Sequence, residues 1–250
     1  LMKFREALRE QCKRRTFAEQ AQYAKPVGGQ IIRGPSIRFV EAALACYENN
    51  RSTSQIIQDD PQFRTVRVMV TDLQRNVEFS EDVQISKTVE RRNPRQGDEI
   101  LGERVNSHGS KVYLIAATDD DLQNKISAAV SKRLRTCGLR LLPHDIVQEA
   151  LALCEESIQS QDSADPTAQA KRMCDAFIAI GVSAEQLSAY LGHSALQCTP
   201  AEIRELRDIY NAIEEKDATW SDVMATREAG EVKNEAKSKL VEKLEERKGK

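Results

Sequence analysis

The apolar residues near the start of the chain recur every three or four positions, as they do along one face of a helix. This spacing predicts a helix over about residues 3–24 and a second one over about 36–47, which begins after the turn at Gly34 and Pro35. Helix-breaking residues at positions 26, 28 and 29 separate the two helices. The second helix is half apolar and half polar, so it is expected to pack one face against another part of the fold.

Past the second helix the pattern changes to an alternation of apolar and polar residues, which is typical of strands with one buried face. Strands are predicted over about 54–58 and 65–71, and residues 65–89 are expected to form a long antiparallel hairpin whose second arm could carry a bulge. Residues 90–110 are rich in Arg, Asn and Gly, which predicts a mobile loop. A last strand is expected over 111–117.

An acidic helix start follows that strand. Thr118 can cap a helix, and Asp119, Asp120 and Asp121 then lie where exposed N–H groups and the helix dipole favour negative charge. The three carboxylates could instead hold Mg²⁺ in a nuclease or polymerase. Consecutive residues at a helix start point in different directions, however, and no distant acidic residue stands out as their partner. Capping is therefore the preferred interpretation.

The helix predicted over 119–136 carries a candidate binding surface. At about 100° per residue, Lys125, Lys132 and Arg135 share one arc opposite an apolar face. Arg133 falls near the centre of the apolar face, where a charge needs a partner or an opening. A basic stripe beside a twisted sheet could follow a phosphate backbone, although a solvated helix face has the same pattern.

The predicted loop at 90–110 contributes a second group of cations. Arg91, Arg92 and Arg95 lie in it, and Lys111 stands just beyond it. Long cationic loops on a hairpin can close over nucleic acid, because guanidinium and ammonium groups bind phosphates. Acidic residues in the same segment dilute this charge, so the loop is a weaker candidate than the helix.

The remaining residues are predicted to be mostly helical. Residues 159–167 have the Ser, Gln, Asp and Pro composition of a linker, and residues 199–202 form a capping box with proline at the first helical position. The aromatic residues of this region are interpreted as the core of a small bundle rather than as a base-stacking platform. They are Phe177, Tyr190, Tyr210 and Trp220. Helices are predicted over 145–157, 168–180, 183–191 and 200–215, with a short one after Thr219.

Composition and charge narrow the class of protein. Of the 250 residues, 40% are hydrophobic, 30% charged and 5% aromatic, which favours a protein rich in helix and surface charge. Residues 1–150 hold 24 Lys and Arg against 20 Asp and Glu, whereas residues 151–250 hold 13 against 19, so the two halves are expected to have different partners. No apolar run approaches the roughly 20 residues that cross a bilayer, and the start lacks a signal-peptide core, which favours a cytoplasmic, nucleoid-associated protein.

The sequence offers little for bond-making chemistry. The six cysteines form no CxxC pair and the three histidines are widely spaced, so neither a metal site nor a disulfide framework is expected. The motifs of nucleotide-binding loops, dinucleotide-binding folds, serine hydrolases and zinc proteases do not occur. We therefore expect no catalytic residue and no cofactor, apart from an effect of Mg²⁺ on complexes with DNA.

Three stretches resemble the phage single-strand annealing recombination proteins (RecT, Redβ and Sak-like groups), which share a core with the eukaryotic Rad annealing mediators. The stretch 34–43, which opens with Gly-Pro-Ser-Ile-Arg, is similar to the first core helix of the phage proteins. Residues 125–138 are similar to the mediators' helix that ends in Lys-Arg, Arg, an aromatic residue and Gly, although Cys137 stands at the aromatic position. Residues 177–220 resemble the helical module appended to such proteins.

The resemblance implies an α+β fold in which a long helix packs across an antiparallel β-meander, with a small C-terminal all-α module. It implies ATP-independent annealing of complementary strands in phage-type recombination by a homo-oligomeric ring or filament. Lys132 and Arg135 would hold phosphates, with Arg133, Lys125 and the loop cations as further contacts. Domains are expected over 1–24 (N-terminal helix), 25–158 (annealing core), 159–167 (linker), 168–226 (acidic docking domain) and 227–250 (charged tail).

The implied partners are single-stranded DNA, the annealed duplex and further copies of the chain, with no membrane. The acidic domain at 168–226 could recruit a host single-strand-binding protein or a partner exonuclease. Two other functions stay open on the sequence. One is a structural or adaptor protein of a phage assembly, in which the basic stripe makes intersubunit ion pairs, and the other is a metal-dependent nuclease that uses Asp119, Asp120 and Asp121.

Overall fold

The computed structural model describes residues 1–27, 30–95, 97–105, 109–162 and 166–227. It has the expected α+β class, with antiparallel sheets and a C-terminal helical region. In chain order the elements are α1 (Met2–Cys12), α2 (Arg15–Ala18), β1 (Gln22–Val27), β2 (Gln30–Pro35), α3 (Ile37–Tyr47), β3 (Asn50–Asp59), β4 (Phe63–Asp72), β5 (Val77–Ser86), β6 (Thr88–Arg91), β7 (Ile100–Val105), β8 (Lys111–Ala116), α4 (Asp119–Leu141), α5 (His144–Asp162), α6 (Pro166–Ala179), α7 (Ala184–Leu191), a 3₁₀ turn (Ala195–Gln197) and α8 (Pro200–Glu214).

The chain forms two compact units. Unit 1 comprises Ala43–His144, and unit 2 combines Met2–Ala42 with the chain from Asp145 onward. This division differs from the expected one, in which 1–24 was a separate helix and 25–158 a single core. Local patterns reveal elements but not which distant elements pack together, so the grouping of both ends of the chain in unit 2 could not be read from them.

The first sheet of unit 1 is the predicted meander, with strands in the order β3–β4–β5 and both pairs antiparallel. Along β4, Val66, Val68 and Val70 are buried while the residues between them are partly exposed, which is the alternation expected of a sheet covered on one face. The bulge is in the pairing of β3 with β4, between Ile56 and Gln58, and not in the second arm of the hairpin. The hairpin itself is confirmed.

A second sheet of unit 1 has the order β6–β8–β7. It corrects the interpretation of 90–110 as a loop, because β7 lies inside that stretch and pairs antiparallel with β8. The register of this pairing shifts between Ile100 and Gly102, which interrupts the alternation that would otherwise signal a strand. The parts of the predicted loop at residues 96 and 106–108 lie outside the described residues.

Helix α4 begins as predicted and is longer than predicted. Thr118 caps it through a capping box with Asp121, and the acidic first turn is in place. The helix was expected to stop near Gly138, but it continues to Leu141, just before Pro143. Gly138 is buried in its interior. A glycine costs only about 1 kcal/mol within a helix, so packing can override it.

Unit 2 begins with a shorter helix than the sequence predicts. The helix expected over 3–24 ends at Cys12, a short α2 follows, and β1 pairs antiparallel with β2. Asn211 of α8 donates hydrogen bonds of 2.7 and 2.8 Å to the backbone oxygens of Glu19 and Gln22. These long-range bonds to the residues at and just before the start of β1 form only in the folded chain, so helical spacing near the start could not reveal them.

The later helices of unit 2 begin and end at the capping residues that the sequence contains. Ser183 and Thr199 each close a capping box, and Gly192 ends α7 in the left-handed conformation. Helix α5 continues to Asp162, through the first part of the predicted linker, while residues 163–165 lie outside the described residues. Residues 220–227 are helical, and the predicted tail beyond them, 228–250, is likewise not described.

The aromatic residues of unit 2 form the predicted core. Phe177 is fully buried, and Tyr210 and Trp220 meet its ring at centroid distances of 5.7 and 5.5 Å. Tyr190 packs on Trp220 at 5.6 Å. Such edge-on and tilted contacts are favoured between buried rings, so these residues are part of the core rather than a surface for stacking bases. In the described part of the chain, no helix has the length and apolarity needed to span a bilayer.

Candidate nucleic-acid interface

The candidate interface is built on the packing of α4 against the first sheet of unit 1. Leu122 of α4 is buried with Val66 and Val68 of β4 and Ile85 of β5. The rest of the apolar face predicted for this helix packs against the same cluster. These residues are Ile126, Ala129, Val130 and Leu134. The helix therefore lies along β4 and β5, and the cations beside its apolar face are held at the β5 side.

Lys125 lies where β5 ends and β6 begins. Its ammonium group donates hydrogen bonds of 2.8 and 2.6 Å to the backbone oxygens of Ser86 and Thr88. An ammonium group has three N–H donors, so these bonds use two of them. Lys125 thus links α4 to the end of β5, and one of its three N–H donors is left for another acceptor.

The helical angle predicted Arg133 near the centre of the apolar face, but its side chain is 42% exposed and paired with a carboxylate of β5. Its Nη1 donates a 3.0 Å hydrogen bond to Oε2 of Glu81 on β5. Arg140, two turns further along α4, places its Nη1 3.3 Å from Oε1 of the same carboxylate. Sequence reasoning did not identify Glu81 or Arg140 as candidates, although the spacing of seven residues puts Arg133 and Arg140 on one side of the helix.

The predicted stripe of Lys125, Lys132 and Arg135 does not form one exposed face. Lys125 turns toward β5, Lys132 is partly buried, and Arg135 is only 8% exposed. The spacing of 100° per residue places these residues on one arc of the helix, but it does not show which neighbouring elements cover their side chains. Arg135, to which the resemblance assigns a phosphate, is therefore buried in unit 1.

The loop cations differ in how they are engaged. The guanidinium of Arg91 lies 3.2 Å from Asp121, and the ammonium of Lys111 lies 2.7 Å from Glu103, which raises the Lys111 pKa. Arg92 and Arg95 are exposed in the segment between β6 and β7. Arg92, Arg95 and Lys111 are thus the exposed members of the predicted loop cations, and Lys111 is engaged by Glu103.

The acidic helix start is used for capping. The hydroxyl and backbone N–H of Thr118 donate hydrogen bonds of 2.9 and 3.2 Å to Asp121, and with Arg91 they hold the pKa of this carboxyl below its usual range. Asp119 and Asp120 are exposed. Within the described ranges, no three His, Cys, Asp or Glu side chains are grouped so that they could hold a metal ion.

The sheet face that α4 leaves uncovered is polar. Arg67 of β4 makes a two-pronged ion pair with Asp82 of β5, with distances of 2.7 and 2.8 Å. Thr71 and Glu78 are joined by a 2.9 Å hydrogen bond on the same face. On this face Arg67 is paired with Asp82 and Glu78 is a second carboxylate, so these three groups carry no surplus positive charge.

Unit 2 contains a charged recess of about 560 Å³. Arg33, Arg204 and Arg207 line it together with carboxylates that include Glu155 and Asp208. The Nε of Arg33 lies 3.0 Å from Oδ2 of Asp208, and burial nevertheless raises the Asp208 pKa to about 6. The recess lies in the unit that contains the predicted docking domain.

No protein-family model, no curated protein and no solved structure matches the chain. The function is therefore inferred from the residues of unit 1 and their contacts.

Proposed function

We propose that this protein binds single-stranded DNA and anneals complementary strands without ATP, as an oligomeric ring or filament. The observation that supports this proposal best is the packing of α4 along β4 and β5, with Lys125, Arg133 and Arg140 in a row on the β5 side. A long helix across an antiparallel meander is the core that the resemblance to phage annealing proteins implies.

The chemistry of such a function is positioning. A guanidinium group can bind a phosphate through two parallel hydrogen bonds, as it binds a carboxylate. A strand held in this way through its phosphates leaves its bases exposed for pairing. No bond is made or broken in this process. The proposed contacts are the row beside β5, Lys132, and the exposed Arg92 and Arg95 between β6 and β7.

Salt dependence tests the binding step. Each phosphate contact with a single strand contributes about 0.7 to the slope of log affinity against log salt. Replacing both Arg92 and Arg95 with alanine should therefore weaken binding and lower the slope by about 1.4. The measurement is fluorescence anisotropy of a labelled oligothymidylate titrated with the intact chain at several salt concentrations.

A matched control variant removes two positive charges from unit 2, as the Arg92 and Arg95 substitutions do from unit 1. Lys171 and Arg172 are exposed there, and replacing both with alanine should leave affinity and slope unchanged. If the intact chain does not bind the oligonucleotide even at low salt, the annealing proposal fails. A structural or adaptor protein would then be the better account.

The acidic helices of unit 2 are proposed to recruit a host single-strand-binding protein or a partner exonuclease. Charged groups on the recess of this unit support a polar docking site. Deleting the C-terminal helices is a poor test of this idea, because α8 also anchors residues 19 and 22. Surface substitutions in the intact chain are the sound alternative.

A further inference from the structure

Two arginines of α4 share one carboxylate. Arg133 and Arg140 both contact Glu81 of β5, at 3.0 and 3.3 Å. Their side chains are 42% and 54% exposed, whereas Glu81 is only 20% exposed. The group carries two positive charges and one negative charge, so one positive charge is not balanced within it.

The supporting structure fixes this group in place. Arg133 and Arg140 are seven residues apart, which is about 10 Å along a helix axis at about 1.5 Å per residue, and nearly two full turns. Glu81 pairs across the sheet with Val68, which is buried under α4. Cys137 lies among the three charged residues, where burial raises its pKa, so this thiol is neutral at physiological pH.

The arginines have more donors than Glu81 can use. A guanidinium has five N–H donors, and a carboxylate accepts at two oxygens. Each oxygen of Glu81 faces one arginine, through Nη1 in both cases. Both guanidinium groups are partly exposed, so a phosphate arriving from solvent can reach the donors that Glu81 leaves unused.

We infer that Arg133 and Arg140 form a phosphodiester-binding site that Glu81 occupies in the free protein and yields when a nucleic-acid strand binds. This inference rests on the proposed function and names a masking residue within the same interface. Glu81 keeps the two side chains in position beside β5. The Glu81 carboxylate also competes with the incoming phosphate. It therefore lowers the affinity for the strand while it holds the two arginine side chains in place.

Opposite effects of two substitutions test this inference. Glu81→Gln keeps the size and the hydrogen bond to Arg133 but removes the competing charge, so affinity for the labelled oligothymidylate should rise several-fold. Arg140→Ala should lower affinity by a comparable factor and reduce the salt slope by about 0.7. Circular dichroism of each variant checks that it is folded.

The controls come from the other face of the same sheet. Glu78→Gln removes the same charge from β5, and Arg67→Ala removes a paired arginine from β4, both away from α4. Each control should change the affinity for the labelled oligothymidylate far less than Glu81→Gln or Arg140→Ala does. If Glu81→Gln and Arg140→Ala behave like these controls while the intact chain binds, the masked site is refuted and the proposed function survives. If the intact chain does not bind, both proposals fall.

Discussion

At the scale of single residues, the clearest agreement between sequence and structure is at helix ends. Thr118 and Thr199 were predicted as caps and both close capping boxes. Ser183, predicted only as the start of its helix, caps that helix in the same way. The partner of Arg133 was not recognisable, because Glu81 lies 52 positions away. The sequence predicted a partner or an opening for this arginine, and the fold provides both, because its side chain is 42% exposed and paired with Glu81.

The capping box of α4 leads to a prediction about Thr118. Thr118→Ala removes the side-chain acceptor for the N–H of Asp121 and the donor to its carboxylate. Loss of an N-cap typically costs about 1 kcal/mol of unfolding free energy. Urea unfolding followed by circular dichroism measures this change.

Ser127→Ala is the control for Thr118. Ser127 is exposed in the same helix and outside the box, so its replacement should change stability by less than about 0.5 kcal/mol. An equal effect of the two substitutions would show that the capping box does not stabilise α4. The Asp121 carboxylate would then lack the structural role assigned to it.

At the scale of elements, long periodic segments were predicted well and interrupted ones were not. The hairpin of β4 and β5 and the apolar face of α4 follow regular alternation and helical spacing, and both formed as expected. Strand β7 was missed because a register shift at Ile100 and Gly102 breaks its alternation. The first helix was predicted too long because β1 depends on pairing with β2 and not on its own spacing.

The packing of α4 on the meander gives a second stability prediction. Leu122 is buried against β4 and β5, so Leu122→Ala should lower the unfolding free energy by about 2–5 kcal/mol through lost contacts and a cavity. Ile56 of β3 is 54% exposed, and Ile56→Ala should cost less than about 0.5 kcal/mol. Parallel urea titrations compare the two variants. Similar losses at the two positions would contradict the described packing.

At the scale of the whole molecule, the class of fold could be predicted and the grouping of its parts could not. Unit 2 joins residues from both ends of the chain through contacts such as Arg33 with Asp208 and Asn211 with Gln22. These pairs are more than 170 positions apart in the sequence. The cations predicted on one outer face of α4 are arranged differently, because Lys125 and Arg133 contact β5 and Arg135 is buried.

The most direct test of the proposal that this protein pairs complementary strands is annealing of two labelled complementary oligonucleotides in the absence of ATP. The intact chain should accelerate pairing well above the spontaneous rate, and an Arg133→Ala/Arg140→Ala variant that remains folded should lose most of that acceleration. The oligonucleotides should stay full length with Mg²⁺ present. No acceleration at any salt or Mg²⁺ concentration would contradict the claim, and cleavage that EDTA abolishes would identify a nuclease instead.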